Sequence, residues 1–162
     1  MFPWKRSVRE DGFVHPLPAG LPDVEEAPMT KGRFLLKREL PLDQVDWGKV
    51  GFFSGPGTTG ATQLVMGRGQ FLPGKGHGFH MHPSQEEMIV VVSGQIEQWI
   101  ETEKRVLGPG DAVFLPPGTV HASFNAGEGE AELLAIFGPA KGETGFETID
   151  VAHEAPWRDL RH

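Results

Sequence analysis

The sequence predicts an all-β domain, and three observations support this. The chain has 162 residues, the length of one compact domain that can bury a core without disulfides. It contains 22 glycines and 14 prolines, a composition that favours short strands joined by turns over long helices. Short apolar segments separated by Gly- or Pro-containing turns recur about eight times, a spacing typical of a sandwich or a barrel.

The chain divides into three parts. Residues 1–30 are rich in proline and charge and are predicted to form an extended N-terminal arm, whereas residues 31–140 hold a single β-domain. Residues 141–162 form a short acidic C-terminal tail, with one helical turn expected around Trp157. Three histidines fall in the terminal parts and are assigned no role: His15, His153 and His162.

The elements of the β-domain are predicted in order along the chain. Residues 32–40 are predicted to form a first strand, and residues 41–48 a single helical turn that begins at Pro41. Eight later segments are predicted as strands: KVGFFS, ATQLVMGRGQFL, EMIVVVSG, QIEQWIE, KRVLG, DAVFLP, HASFNAG and AELLAIFG. The strand EMIVVVSG places Ile89 and Val91 on one face, and its other face is apolar as well, so burial on both sides is expected.

Composition narrows the kinds of partner and location. With 15 basic and 22 acidic residues the formal net charge is -7, which repels nucleic-acid phosphates and anionic lipid surfaces. Neither nucleic acid nor a membrane is therefore expected as a partner. No segment has the apolar length of a membrane span, and the first residues lack the apolar core of a secretion signal, so a cytoplasmic location is expected.

The segment GPGTTG, residues 55–60, satisfies the glycine spacing of a dinucleotide-binding loop. That motif requires a helix immediately after it, whose N-terminus meets the pyrophosphate. Here the β-patterned segment ATQLVMG follows instead. The glycines are therefore interpreted as a hairpin loop.

A short segment concentrates residues that can bind a metal. His80 and His82 are two apart, so in a strand both imidazoles face the same side and can meet one ion. Pro83 ends that strand, and a turn would return the chain so that Glu87 faces the same point; Glu86, one residue earlier, would face away. His121, after a Pro-Pro-Gly turn, is a fourth candidate. Because cysteine is absent, a metal site must use such imidazole and carboxylate groups, which suit first-row divalent ions.

Residues around these donors resemble the two signature motifs of the cupin superfamily. The first motif, G-x5-H-x-H-x4-E-x6-G, is matched by Gly74, His80, His82, Glu87 and Gly94. The second, G-x5-P-x-G-x2-H-x3-N, is matched by Gly110, Pro116, Gly118, His121 and Asn125. The resemblance is specific over residues 74–125 and extends more loosely, through the strand pattern, over residues 50–138.

The resemblance implies a fold, a cofactor and an assembly. The implied fold is a double-stranded β-helix, the cupin or jelly-roll barrel of two antiparallel sheets. It implies one divalent transition-metal ion (iron, manganese, nickel, zinc or copper) inside the barrel mouth, held by His80, His82, Glu87 and His121. It also implies a small-molecule substrate or ligand and a homodimer.

Several other residues have two interpretations each. His77 is either a proton shuttle at the rim of the site or, as is preferred, an exposed histidine. Arg68 could meet an anionic substrate, and Gln63 and Gln70 could reach the same cavity, but an outward, solvated Arg68 is preferred.

Four aromatic residues are interpreted as barrel packing: Trp99, Phe114, Phe124 and Phe137. Asn125 is interpreted as a turn-supporting residue.

A metal held by neutral imidazoles can act as a Lewis acid or, if redox-active, support O₂ chemistry. The leading hypothesis is a metal-dependent enzyme for a small organic molecule, with dioxygenase-like chemistry preferred over isomerase, decarboxylase or lyase chemistry. The alternative is a non-catalytic cupin that binds a small ligand or a sugar. A fold resemblance does not choose between them.

Overall fold

The computed structural model describes residues 32–161. The predicted N-terminal arm, residues 1–30, lies outside the described residues, as do His15 and His162. Within the described part, no helix is long and apolar enough to cross a membrane.

In residues 32–161, eleven strands form two antiparallel sheets. In chain order they are β1 (Asp43–Val45), β2 (Gly48–Ser54), β3 (Val65–Phe71), β4 (Gly76–Met81), β5 (Glu86–Ser93), β6 (Ile96–Ile100), β7 (Glu103–Leu107), β8 (Ala112–Leu115), β9 (His121–Asn125), β10 (Ala131–Gly138) and β11 (Ile149–Asp150). The first sheet has the order β1-β2-β3-β10-β5-β8, and the second has the order β11-β4-β9-β6-β7. The predicted all-β class with two antiparallel sheets is confirmed, because every strand pair is antiparallel.

The core lies between the two sheets and follows the alternation of each strand. On β5, Ile89 and Val91 point inward and pack with Ile96 of β6 and Leu115 of β8. The opposite face of β5, which carries Met88, is partly exposed to solvent. Met88 itself is 43% exposed. The prediction that β5 is buried on both faces is therefore wrong for the described chain. Only one layer packs against this strand.

The prediction for residues 32–48 is wrong in both elements. Residues 32–40 contain no strand but a 3-10 turn at Lys37–Glu39, and Phe34 is 96% exposed. The expected helical turn over residues 41–48 is replaced by β1, which pairs with β2 through a tight hairpin. The Gln44 amide stabilises this hairpin by donating to the Gly48 carbonyl at 2.8 Å. Pairing with the adjacent strand β2 overrides the helix-start preference of Pro41.

The C-terminal residues lie against the barrel and continue the second sheet. Strand β11 pairs with β4, so that Asp150 lies opposite His80 in the register. Trp157 and Leu160 then pack on the core cluster around Phe79. A 3-10 turn at Trp157–Asp159 occupies the place where the sequence predicts a helical turn. The domain boundaries at residues 30 and 140 stay a prediction.

Candidate metal centre

Three strands bring the four predicted donors to one point inside the barrel. His80 lies on β4 and pairs in register with His121, the first residue of β9. His82 follows β4 directly, and Glu87 is the second residue of β5 after the turn at residues 83–85. One donor atom from each of the four side chains lies within 4.8 Å of the others, and all four residues are buried.

Backbone carbonyls fix the orientation of each imidazole ring. The Nδ1 atoms of His80, His82 and His121 lie 2.7, 2.6 and 3.0 Å from the carbonyl oxygens of Gly78, Glu147 and Thr119, respectively. A carbonyl can only accept, so each Nδ1 carries a proton and Nε2 is the atom left to bind a metal. This arrangement directs each Nε2 towards the point where a metal would bind.

The inward-facing atoms of the cluster lack good hydrogen-bond partners. Oε2 of Glu87 lies 2.8 Å from Nε2 of His121 and 3.3 Å from Nε2 of His82. These three buried atoms nevertheless form no hydrogen bond of good geometry. Buried polar atoms are rarely left in this state, and a bound cation would satisfy all of them. The residues therefore fit a divalent ion.

Burial and neighbouring charges set the protonation of the cluster. Burial lowers the pKa of His80 well below its usual value, and the surrounding histidines lower it further, so this ring is neutral. Burial acts to raise the pKa of Glu87, but the His121 and His82 rings outweigh it and hold the pKa at about 2. Burial also opposes charge on His121, yet the Glu87 carboxylate raises its pKa overall. The site thus supplies one carboxylate charge to an ion.

Gln85 connects the metal cluster to the C-terminal segment, and sequence reasoning missed it. Its side-chain amide donates to the carbonyls of Pro139 at 2.7 Å and Gly145 at 3.0 Å. Its carbonyl oxygen accepts from the Glu147 amide at 2.9 Å. The Glu147 carbonyl in turn holds His82, so Gln85 fixes the group that orients a donor.

Replacing Gln85 by alanine is expected to weaken metal binding by about 10–100-fold, the usual cost of losing an outer hydrogen-bond partner. Without Gln85 the Glu147 carbonyl loses its support, and His82 can rotate away from the centre. Competition against a chromogenic chelator measures the dissociation constant. The matched control is Ser84→Ala, which removes an exposed hydroxyl that contacts only the Glu147 carboxylate, at 3.1 Å. Equal affinities for the two variants would contradict this role of Gln85.

A small cavity adjoins the donors. His77 is half-buried and lines it, with its ring centroid 3.9 Å from that of His80, so the preferred interpretation of an exposed His77 is wrong. Phe137 also lines the cavity, with its ring 4.9 Å from that of His82. Gln63 is exposed and does not line the cavity.

Arg68 is neither solvated nor directed at the metal centre. It is 5% exposed, and its Nη2 donates to the Glu132 carboxylate at 2.6 Å. Lys37 reaches the same carboxylate at 3.1 Å from the segment before β1. Arg68 is among the residues that line the cavity, but alternation along β3 and the pairing with Glu132 turn its guanidinium to the face opposite that of Gly67 and Gly69. The preferred interpretation of a solvated Arg68 is therefore wrong.

The remaining sequence candidates occupy supporting or surface positions. Glu87 lies in the cluster and Glu86 is exposed, as the alternation predicts. Asn125 is buried and donates to the carbonyls of Phe71 and Gly129, in agreement with a structural role. Trp99, Phe124 and Phe137 pack in the interior, but Phe114 is exposed on β8. His153 is exposed at the surface.

Comparison with known proteins finds a family match over the part of the chain that holds this site. The family model of the cupin domain (Cupin_2) matches residues 67–137, which include all four donors. Protein SchB of Streptomyces halstedii is 29% identical over 120 residues, covering 74% of this chain and 87% of SchB. Oxalate oxidase GF-2.8 of Triticum aestivum is 29% identical over 104 residues, covering 59% of this chain but only 42% of the oxidase. The chain thus spans less than half the length of that enzyme.

A solved structure shares the architecture. The structure of KdgF from Halomonas sp. matches with a TM-score of 0.63 at 24% identity, covering 70% of this chain and 99% of KdgF. At this identity the likeness bears on the fold alone. It agrees with the predicted barrel of two antiparallel sheets.

Proposed function

This chain belongs to the cupin superfamily, and from that premise we propose that it is a metal-dependent enzyme acting on a small organic molecule. His80, His82, Glu87 and His121 would hold one divalent transition-metal ion, which is iron, manganese, nickel, zinc or copper. The ion would supply Lewis acidity and, if redox-active, a route to O₂ chemistry.

The observation that carries the proposal is the state of the inward-facing donor atoms. Three Nε2 lone pairs and one ionised carboxylate converge in a buried space, and three of these four atoms lack a hydrogen-bond partner there. Fixing such groups without partners is costly for stability alone. A bound cation would provide the partner that these atoms lack.

Other groups of the protein would orient the donors, exclude water and transfer protons. The backbone carbonyls of Gly78, Glu147 and Thr119 keep the three rings oriented. The aromatic wall of the cavity excludes bulk water from the reacting groups. His77, beside His80, is placed to accept or give a proton at the cavity wall.

Dioxygenase-like chemistry is preferred over isomerase, decarboxylase or lyase chemistry. Its support is the complete donor set, the open cavity beside it and the relationship to a protein named oxalate oxidase. The predicted homodimer and cytoplasmic location remain part of the proposal, and they rest on the family resemblance and on the sequence.

The test begins with the metal content of protein purified without chelators, followed by O₂ uptake with Fe(II) on a panel of catechols, flavonols and β-diketones. About one ion per chain and O₂ uptake with at least one compound are expected. A filled site with no O₂ uptake across the panel would remove the dioxygenase-like assignment and favour isomerase or binding roles.

The second candidate is a non-catalytic cupin that binds a small ligand or a sugar. The apolar character of the cavity wall favours it, since few polar groups remain there for acid-base work. The Ser123 hydroxyl, for example, already donates to the Gln98 side chain at 2.6 Å. Recovery of a bound compound unchanged after long incubation with the metal-loaded protein would support this function over catalysis.

A further inference from the structure

We infer that the cavity selects a compact monoanion that chelates the metal through two oxygens and turns an apolar remainder towards the wall, and that it disfavours dianions such as dicarboxylates. This inference deepens the proposed function and rests on metal binding by the four donors.

The first support is the chemistry of the cavity wall. Apolar side chains form most of it: Trp47, Val50, Phe52, Phe71, Ile89, Leu133, Ala135, Phe137 and Phe146. Outside the donor set, the polar residues that line it are His77, Ser123 and Arg68, and the Arg68 guanidinium is bound to Glu132. A ligand group that points away from the metal therefore meets hydrocarbon, which suits a methyl, methylene or aromatic carbon.

The second support is the charge of the loaded site. A divalent ion bound by neutral imidazoles and the Glu87 carboxylate retains one net positive charge. A monoanion cancels that charge, whereas a dianion leaves a net negative charge buried in an apolar cavity. Burying an unpaired charge costs several kcal/mol, so the wall itself discriminates between the two kinds of ligand.

The third support is the position of the nearest permanent cation. Arg68 lines the cavity together with Gly67 and Gly69, but alternation along β3 and its bond to Glu132 direct its guanidinium to the other face of the strand. There its guanidinium is bound to Glu132, which Lys37 also contacts. Among the described residues that line the cavity, Arg68 is the only lysine or arginine, and its charge is already paired with Glu132.

The fourth support is size. The cavity volume is about 50 Å³, enough for a few water molecules or a ligand of few heavy atoms. The glycines keep even this space open, because a Cβ at Gly67 would lie 3.0 Å from the Phe52 ring. A compact ligand is therefore favoured over an extended one.

Pyruvate and oxalate provide a matched pair of probes. Both are flat chelators of similar size, and they differ because pyruvate carries a methyl group where oxalate carries a second charged oxygen. Calorimetric titration of the Co(II)-loaded protein gives the affinity of each. Oxalate binds the hydrated ion more tightly, so the measured quantity is the oxalate-to-pyruvate affinity ratio on the protein relative to the ratio for the hydrated ion.

We expect the protein to lower this ratio by at least about 100-fold, because the oxalate complex leaves a net negative charge buried in an apolar cavity. A ratio equal to or above that of the hydrated ion would overturn the inference. Metal analysis after each titration verifies that the probe has not removed the ion. A protein that retains no ion at all would instead reject the proposed function, so the two failures are distinguishable.

A cation placed in the wall provides the second measurement. Ala135 on β10 lines the cavity and lies in register with Ile89 and Gly67. Ala135→Lys is expected to raise the oxalate-to-pyruvate ratio by about 10-fold relative to Ala135→Met, which adds similar length without charge. Equal ratios in the two folded variants would contradict the electrostatic explanation. If the lysine variant does not fold, the oxalate-to-pyruvate affinity ratio measured on the unmodified protein is sufficient to test the inference.

Discussion

Replacing His121 by alanine is expected to abolish metal loading of the protein. The substitution removes the Nε2 atom that lies 2.8 Å from the Glu87 carboxylate, at the centre of the buried cluster. Losing a direct donor costs more than losing an outer partner, so a drop in affinity beyond about 100-fold is expected. His80→Ala and His82→Ala should act in the same way. Elemental analysis of each purified variant measures the number of ions per chain.

A control variant separates loss of a donor from a general effect of removing histidine. His153→Ala removes an imidazole whose side chain is 76% exposed. It should retain the same metal content as the unmodified protein. Near-ultraviolet circular dichroism should show that the His121 variant keeps its tertiary packing. Unchanged ion content in a folded His121→Ala variant would reject this donor assignment.

The largest expected effect on stability comes from Glu132. Glu132→Gln removes the carboxylate that neutralises the buried Arg68 guanidinium, leaving a charge without a counter-ion. Breaking a buried ion pair from one side costs about 3–5 kcal/mol in the free energy of unfolding. Lys37 also loses its partner, but its exposed ammonium group returns to water. Urea denaturation followed by tryptophan fluorescence measures the change.

The matched control removes both charges together. The double variant Arg68→Met/Glu132→Leu should be clearly more stable than Glu132→Gln, because no unpaired charge remains. A double variant as unstable as the single one would mean that packing, and not charge, determines the loss.

The same ion pair predicts that the free energy of unfolding decreases in acid. The hydrogen bond that Arg68 donates lowers the pKa of the Glu132 carboxyl group. The stabilisation is therefore present above the unfolded-state pKa near 4.5, and it is lost as the pH falls through the lower folded-state pKa.

The pattern of apolar alternation predicted most of the barrel from β2 onward. Inward residues such as Ile89 and Val91 lie where a period of two places them, because each strand has one face on the core. The same alternation placed Glu87 and not Glu86 beside the histidines. Residues 32–48 were predicted wrongly, since Pro41 was interpreted as a helix start whereas β1 pairs with β2 in a hairpin.

The surroundings of the donors could not be predicted from the sequence. Gln85 acts through three backbone groups more than 50 residues later in the chain, and nothing in the segment PSQE distinguishes it from an ordinary turn residue. Arg68 required a similarly distant partner, Glu132. Both depend on which distant segments the fold brings together, and spacing within one segment does not encode this.

A crystal structure with anomalous diffraction collected at the absorption edges of first-row transition metals is the most direct measurement. One peak is expected within bonding distance of Nε2 of His80, His82 and His121 and of the Glu87 carboxylate. A map without a peak there, from crystals supplied with each of these ions in turn, would contradict metal binding at this centre.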